Sequence, residues 1–478
     1  MARAPRLHRP AVRSEASFLA STGPRSMLLG LLVSLGSLLP ACGPSAGGAV
    51  STGQGPDPRS SGSLSSSAAS AEPDPSDEPE LKARCEPPSI TVPPPRSGPL
   101  EPPLPAIERP EALAPFFDQV LAHLRGELDR PLRIGFYGDS NLTLDFLSGE
   151  LRRVLQGIYG DGGHGYVAVG RPWRWYQHVD VSHDAFGNWR LYCPTTLREP
   201  KHVYGSAGIA AATRSPGAYA RYATAPEGSP VGTRVSRFGV YYLGREKPGE
   251  FAIVADGKEI ERVTAEGSSE VRLAEVSLPD GPHRLDVVAK STRELKLFGV
   301  VLERDRGIVV DSLGIGGVGY YALAELEPKT TEQMLRIRSY DLVIFLLGTN
   351  LFRAGDNPKA LKQILEVHRR ANPRVAVLVM SPPDQVANAG ASQSRPAIVK
   401  VSRALAAAAA EEQVAFWDFR EAMGGEASMA RFSRHGLAGG DLYHFTEKGA
   451  AFMGSRIAHV LSRELEAHAR AQCETKRR

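Results

Sequence analysis

The sequence predicts an α/β fold built on a parallel sheet and interrupted after its first strand by an antiparallel β-sandwich of jelly-roll type. Three observations lead there. Apolar runs at 132–137, 308–310, 342–347, 375–380 and 414–417 are separated by helical patterns, as in a parallel sheet covered by helices. Between the first and second runs, from Tyr166 to about Arg306, the pattern changes to short alternating segments. Polar blocks stand just past the apolar runs, and the carboxyl ends of parallel strands are where ligands and chemistry collect.

From the amino terminus onward, each element has its own signal. The first 41 residues hold five arginines (Arg3, Arg6, Arg9, Arg13, Arg25), one acid (Glu15) and an apolar run from Met27 to Leu39. This is the layout of an export signal, 1–41, and the run is too short to span a bilayer. Leu39-Pro40-Ala41-Cys42 resembles a bacterial lipobox, which implies lipidation of Cys42 and a membrane anchor; cleavage without lipidation is the alternative. Gly43, rather than an aspartate, resembles an outer-membrane sorting preference. Residues 42–109 are rich in Ser, Gly, Pro and Ala with no apolar periodicity, which predicts a disordered tether.

The folded part opens with an amphipathic helix over 111–128 and the strand Leu132-Arg133-Ile134-Gly135-Phe136-Tyr137. Gly138-Asp139-Ser140-Asn141 follows, before a helical pattern with apolar residues at Leu144, Leu147, Leu151, Val154, Leu155 and Ile158. Ser140 therefore sits on a strand-to-helix turn, where unpaired N–H groups face a developing negative charge. Gly160 to Gly165 leads into the sandwich, whose strands include 237–242, 251–254, 271–273 and 284–288, with turns at Asp256-Gly257 and Asp280-Gly281. The α/β pattern resumes at Ile308. Asp311-Ser312-Leu313-Gly314-Ile315-Gly316-Gly317 follows that strand, Gly348-Thr349-Asn350 follows the next, and Asp441-Leu442-Tyr443-His444 precedes a helix from Thr446 onward. The domains expected are 110–165 with 307–470 for the α/β unit, and 166–306 for the insert.

These blocks point to acyl chemistry. A serine hydroxyl is a weak nucleophile until a base takes its proton. His444 is the candidate base, and Asp441 three residues earlier orients its ring as the third member of a triad does. Asn350 brings an amide donor for the oxyanion. His164, His178, His183 and His435 lack an aspartate so placed, and Asp145 and Asp161 read as capping or solvated residues rather than a glycosidase pair.

Together the blocks resemble those of the SGNH (GDSL-type) hydrolase family, which implies a three-layer, flavodoxin-like domain. By that resemblance Ser140 is the nucleophile. The oxyanion hole is the Ser140 N–H, the Gly317 N–H and Asn350, with Gly314, Gly316 and Gly319 as alternatives to Gly317, and Asp441 and His444 complete the triad. Asn141 departs from the leucine, and Leu351 from the acidic residue, common at those positions. A jelly roll placed between the first two blocks resembles the bacterial peptidoglycan and polysaccharide O-acetylesterases. The resemblance implies an enzyme that removes O-acetyl groups from an acetylated polysaccharide, without a metal or organic cofactor. Trp173, Trp175 and Tyr176 are the candidate glycan contacts. An O-acetyltransferase using the same triad and a non-catalytic glycan-binding lipoprotein are the alternatives.

Composition excludes other classes. The formal charge of +4 comes from the leader; without its first 41 residues the chain carries equal numbers of basic and acidic residues, which gives no argument for nucleic-acid binding. Cys42, Cys85, Cys193 and Cys473 have no metal-site spacing and allow at most one disulfide besides a lipidated Cys42, with the pairing open. The glycan, the acyl-chain length and the oligomeric state are not legible.

Overall fold

A computed structural model describes residues 89–477 of the chain. The leader, Cys42, Cys85 and the tether up to residue 88 lie outside the described residues.

Helix α1 (Ala114–Leu124) buries Phe116, Phe117, Val120 and Leu121 on one stripe. Strand β1 (Leu132–Gly138) is almost wholly buried, and α2 (Phe146–Tyr159) returns over it with Leu147, Leu151, Leu155 and Tyr159, four residues apart, facing inward. The insert follows: β2 (Gly163–Val167), β3 (Val181–Phe186), β4 (Arg190–Tyr192), β5 (Ala210–Thr213), β6 (Tyr219–Thr224), β7 (Val235–Leu243), β8 (Glu250–Ala255), β9 (Lys258–Thr264), β10 (Val271–Gly281), β11 (Arg284–Ala289) and β12 (Leu295–Glu303). The α/β unit resumes with β13 (Ile308–Gly314), α3 (Tyr320–Ala324), α4 (Pro328–Arg338), β14 (Leu342–Leu346), α5 (Asn357–Ala371) and β15 (Ala376–Met380). It closes with α6 (Pro396–Glu411), β16 (Ala415–Trp417), α7 (Phe419–Ala422), α8 (Ser428–Arg434) and α9 (Glu447–Arg477).

The central sheet has the order β13-β1-β14-β15-β16 and every pair is parallel. In chain order this is 2-1-3-4-5, the flavodoxin-like arrangement, with its topological switch at β1. Strand alternation makes the three layers. Ile134, Phe136, Ile344, Leu346, Leu378 and Met380 face the layer of α1, α2 and α9. Tyr137, Val343, Phe345, Val377 and Val379 face the layer of α3 to α6.

The insert is a pair of antiparallel sheets, β10-β7-β12-β5-β4 with β2 also on β12, and β3-β6-β11-β8-β9. Val240, Leu297 and Val300 from the first and Tyr222, Ile253 and Val287 from the second share one core, as in a sandwich. Asp256 and Gly257 both have positive φ and join β8 to β9 in a two-residue hairpin, as their sequence predicts. Asp280-Gly281 differs: it ends β10, and the chain reverses after it.

Two expected boundaries shift. The glycine-rich segment before residue 166 is already part of β2, which pairs antiparallel with β12 from Gly163 onward. Its glycines serve close approach rather than a turn, since a Cβ on Gly163 would meet the Leu302 carbonyl oxygen at 2.5 Å. The proline-rich segment expected to be tether throughout is, from residue 89 to 109, an arm laid on the α/β unit. Arg96 pairs with buried Glu150, Arg456 donates to the Pro102 carbonyl at 2.6 Å, Trp417 Nε1 donates to the Pro105 carbonyl at 3.0 Å, and Glu108 pairs with Phe416. Proline-rich chain leaves its carbonyls free, and here buried donors of the core take them. Among the described residues no helix is long and apolar enough to cross a membrane, and Cys193 and Cys473 are both free thiols.

Candidate active site

Register brings the polar blocks to one edge. Gly138 at the end of β1 lies opposite Gly314 of β13 on one side and Leu346 of β14 on the other. The residues that follow each strand, Ser140, Gly317 and Asn350, therefore emerge side by side at the switch point.

Ser140 opens a short 3-10 turn (Ser140–Leu142) capped by Asp139, whose carboxylate accepts from the Asn141 N–H at 3.2 Å. The same carboxylate accepts from the Thr349 N–H at 3.3 Å, which ties the serine turn to the Gly348-Thr349-Asn350 block. Burial raises the Asp139 carboxyl above its usual range, and the hydrogen bonds from Thr349 and Asn141 only partly oppose it.

His444 reaches this turn from the far end of the chain. Its Nε2 lies 2.7 Å from Ser140 Oγ, and its Nδ1 lies 2.7 Å from Asp441 Oδ2. A carboxylate can only accept, so Nδ1 carries the proton and Nε2 faces the serine hydroxyl as acceptor. Asp441 also shapes its own loop: Oδ1 accepts the N–H groups of Tyr443 and His444 at 3.0 and 3.1 Å, and Leu442, between Asp441 and Tyr443, takes φ 63°. Partial burial pushes the Asp441 carboxyl up, but the hydrogen bonds from His444 and the two amides outweigh it and hold it below its usual value.

The oxyanion candidates differ in what holds them. Gly317 has φ +78°, a conformation that favours glycine, and lies in the turn after β13. Gly314 is required for packing, since a Cβ there would meet Leu142 Cβ at 2.4 Å, and Gly319 caps α3. Asn350 Nδ2 donates to the Val318 carbonyl at 2.8 Å, which fixes the amide against the glycine turn and leaves its second hydrogen free for a ligand. The N–H groups of Ser140 and Gly317 make no hydrogen bond among the described residues.

The candidate glycan contacts separate. Trp173 and Tyr176 are buried in the core that includes Ile315 and Val318, and pack edge to face with ring centroids 5.2 Å apart. The Tyr176 hydroxyl accepts from the Ala168 N–H. The reason is a tight turn, with the Tyr176 N–H donating to the Trp173 carbonyl, which sends these two rings inward. Trp175 points out and is 57% exposed. It lines a cleft of about 830 Å³ with Leu144, Phe146, Arg171, Arg174 and Glu447.

The other acids and histidines lie elsewhere. Asp145 is buried against Arg152, Asp161 caps the amides of Gly163 and Gly232, and His164 and His178 are buried against each other within the insert. Among the described residues no three metal-ligating side chains gather as a cation would require.

Sequence reasoning missed one contributor to the site and one exposed ring that follows Asn350 in the chain. Asn141 donates from Nδ2 to the Tyr443 carbonyl at 3.3 Å and accepts at Oδ1 from the Phe445 N–H at 3.2 Å, gripping the backbone on both sides of His444. The signal was an amide where an apolar residue is usual. Phe352, two residues after Asn350, is 70% exposed and stacks edge-on with Tyr321. Only its position just past a polar block could have suggested it.

Residues 284–452 match the profile of the GDSL-like Lipase/Acylhydrolase family. The match contains Gly317, Asn350, Asp441 and His444 and starts after Ser140, because the insert separates β1 from the rest of the sheet. Among solved structures, a peptidoglycan O-acetylesterase is 22% identical with TM-score 0.63, over 74% of this chain and 96% of that one. A family two carbohydrate esterase from Clostridium thermocellum in complex with cellohexaose is 10% identical, covers 57% of this chain and 97% of its own, and has TM-score 0.23. One from Cellvibrio japonicus is 10% identical, covers 60% and 98%, and has TM-score 0.22. No curated protein sequence matches. The flavodoxin-like sheet and the inserted sandwich are the fold of the peptidoglycan O-acetylesterase, and the carboxyl-terminal part of the sheet carries the profile of the GDSL-like Lipase/Acylhydrolase family.

Proposed function

We propose that the protein is a serine esterase that removes O-acetyl groups from a cell-envelope or extracellular polysaccharide. The observation that carries this reading is the unbroken chain Ser140 Oγ, His444, Asp441, with both links at 2.7 Å. Ser140 Oγ attacks the acetyl carbonyl as His444 Nε2 takes its proton. The oxyanion accepts hydrogen bonds from the Ser140 and Gly317 N–H groups and from Asn350. His444 then returns the proton to the departing sugar hydroxyl, leaving an acetyl ester on Ser140. A water molecule that gives its proton to His444 attacks that ester, acetate leaves, and Ser140 regains its hydrogen.

Hydrolysis is favoured over transfer to a second glycan because the triad is open, with the side chains of His444 and Asp441 46% and 52% exposed. Water reaches an open acyl-enzyme, whereas transfer needs a site that excludes it. The likeness to a peptidoglycan O-acetylesterase supports a polysaccharide substrate. The arginine-rich leader and Cys42 support export and attachment to the cell envelope by a lipid.

Turnover of p-nitrophenyl acetate and of O-acetylated polysaccharides by the purified protein, beside Ser140→Ala and His444→Ala, tests the reading. Acetate release from the polysaccharide that both substitutions abolish is expected. Acetyl transfer to an added oligosaccharide in preference to water would replace this reading with the transferase. A biological effect that survives Ser140→Ala would replace it with a glycan-binding role.

A further inference from the structure

The cleft beside Ser140 carries positive charge that the protein itself leaves unanswered. Trp175 lies at its wall next to the glycine turn: a Cβ on Gly316 would meet Thr143 at 3.7 Å and the Trp175 ring at 3.9 Å, and Thr143 Oγ1 donates to the Ser140 carbonyl at 2.8 Å. Arg171 and Arg174 precede Trp175 in sequence and line the same cleft, and both are exposed. Neither guanidinium pairs with a carboxylate or a carbonyl among the described residues, although most arginines of this protein do.

The remaining charges in the cleft offset them only in part, leaving a net positive charge. Arg153 and Asp180 neutralise each other through two bonds of 2.8 Å. Glu447 is the other acid, and it also lines the depression that runs on past Lys448 and Arg96. The two free arginines and the exposed indole thus stand together at the wall shared with the nucleophile turn. Guanidinium groups pair in a fork with carboxylates, and an indole face stacks on a sugar ring.

We propose that the polysaccharide bears carboxylates, and that Arg171 and Arg174 hold an acidic sugar or its carboxylate substituent beside the acetylated residue while Trp175 stacks on the chain. The inference rests on the deacetylase reading and names its substrate class. The arginines touch the glycan but not the reacting atoms, so they set which polymer is taken rather than how fast a bound ester breaks.

The test compares two probes with the full exported protein: polygalacturonate, and polygalactose made by carboxyl reduction of the same polymer, both chemically O-acetylated after preparation. The readout is the ratio of kcat/KM for the acidic over the neutral polymer, which a loss of folded enzyme does not alter. At exposed sites each arginine contributes a few-fold, so the ratio should be about ten at low salt and fall towards one in Arg171→Gln/Arg174→Gln. It should also shrink as salt screens the pairs. A ratio near one in the wild type, or a high ratio that the double variant keeps, overturns the proposal. Turnover of p-nitrophenyl acetate with neither polymer deacetylated would sink the deacetylase reading instead. The arginines are then decided by binding of unacetylated polygalacturonate to Ser140→Ala, measured by calorimetry: binding lost in the double arginine variant upholds them, and no binding overturns them.

Discussion

Beyond Asp441, the segment that carries His444 is held by Asn141, and Asn141→Leu tests how far the geometry of the base depends on it. Leucine keeps the volume and is common at this position in the family whose blocks this chain resembles, so the change removes hydrogen bonds rather than packing. Two are lost, Nδ2 to the Tyr443 carbonyl and the Phe445 N–H to Oδ1, at 3.3 and 3.2 Å. At about 1 kcal/mol each, the clamp on His444 weakens by about 2 kcal/mol. If that whole energy held His444 in place, the fraction of molecules with the base aligned would fall about thirtyfold. The Asp441 turn and the Gly439 N–H to His444 carbonyl bond of 2.8 Å remain, so the loss should be smaller, about five- to thirtyfold. The assay is steady-state hydrolysis of p-nitrophenyl acetate, with kcat expected to fall and KM to change little, together with amide exchange over residues 439–446, expected to quicken. A kcat within about twofold of wild type and unchanged exchange would refute the claim that Asn141 positions the histidine.

Further outcomes follow from burial and charge. Burial pushes the Asp145 and Glu303 carboxyls up, but Arg152 and His178 for the first, and Arg338 and Arg133 for the second, bring each down to about 2. Their stabilisation is complete above the unfolded carboxylate range near pH 4 and is lost as pH falls towards 2, about 2 kcal/mol for Asp145 and about 3 kcal/mol for Glu303; urea midpoints that stay level across this window would contradict it. Burial lowers His368 to about 4, so between about pH 6.5 and pH 4 the unfolded chain takes a proton that the folded one refuses, and stability should fall by about 3 kcal/mol as pH drops; His368→Gln should flatten that part of the curve. Asp311 accepts from Arg338 Nε and Nη2 at 2.7 Å, from the Tyr340 hydroxyl at 2.6 Å and from the Tyr166 N–H at 2.8 Å, all buried. Asp311→Ala should cost about 3–5 kcal/mol in urea unfolding, and a loss below about 1 kcal/mol would show that the network does not hold the insert to the sheet. Gly317→Ala should cost about 1 kcal/mol of stability from its positive φ and lower kcat further through the oxyanion donor, whereas Gly316→Ala meets only ordinary contacts; equal kcat in the two variants would move the donor elsewhere.

The sheet strands were legible because fully buried parallel strands are short continuous apolar runs, and 132–137 and 342–347 are unmistakable as such. The insert was legible because its alternation differs in period from the flanking helices. What the sequence concealed depends on three-dimensional partners. Prolines at 93–95 and 102–105 look like tether because their sequence has no periodicity, yet the Pro93 carbonyl accepts from His459, and those of Pro102 and Pro105 are taken by Arg456 and Trp417, all more than 300 positions later. Trp173, Trp175 and Tyr176 look alike in sequence, and only a turn hydrogen bond decides that two go inward and one outward. Ser140, His444 and Asp441 could be named because their chemistry demands particular side chains. Asn141 could not, because its role is a pair of backbone bonds to a segment some 300 residues away.

The insert also bears on how this chain reaches its native state. Strands β1 and β13 are hydrogen-bonded neighbours, yet the whole sandwich is threaded between them, so the pairing that places the Ser140 turn beside the Gly317 turn is among the least local of the described residues. Closing so long a loop in a floppy chain is slow, and every doubling of its length adds about 0.6 kcal/mol to the entropy cost. A sandwich that has already folded shortens that search. Its first and last strands, β2 and β12, are antiparallel partners, and the Gly162 N–H to Ile308 carbonyl bond of 3.0 Å and the Ile308 N–H to Gly160 carbonyl bond of 2.9 Å lie at its neck. The inserted module would then act in assembly as a clasp, delivering the two halves of the hydrolase to each other before either has a sheet to join.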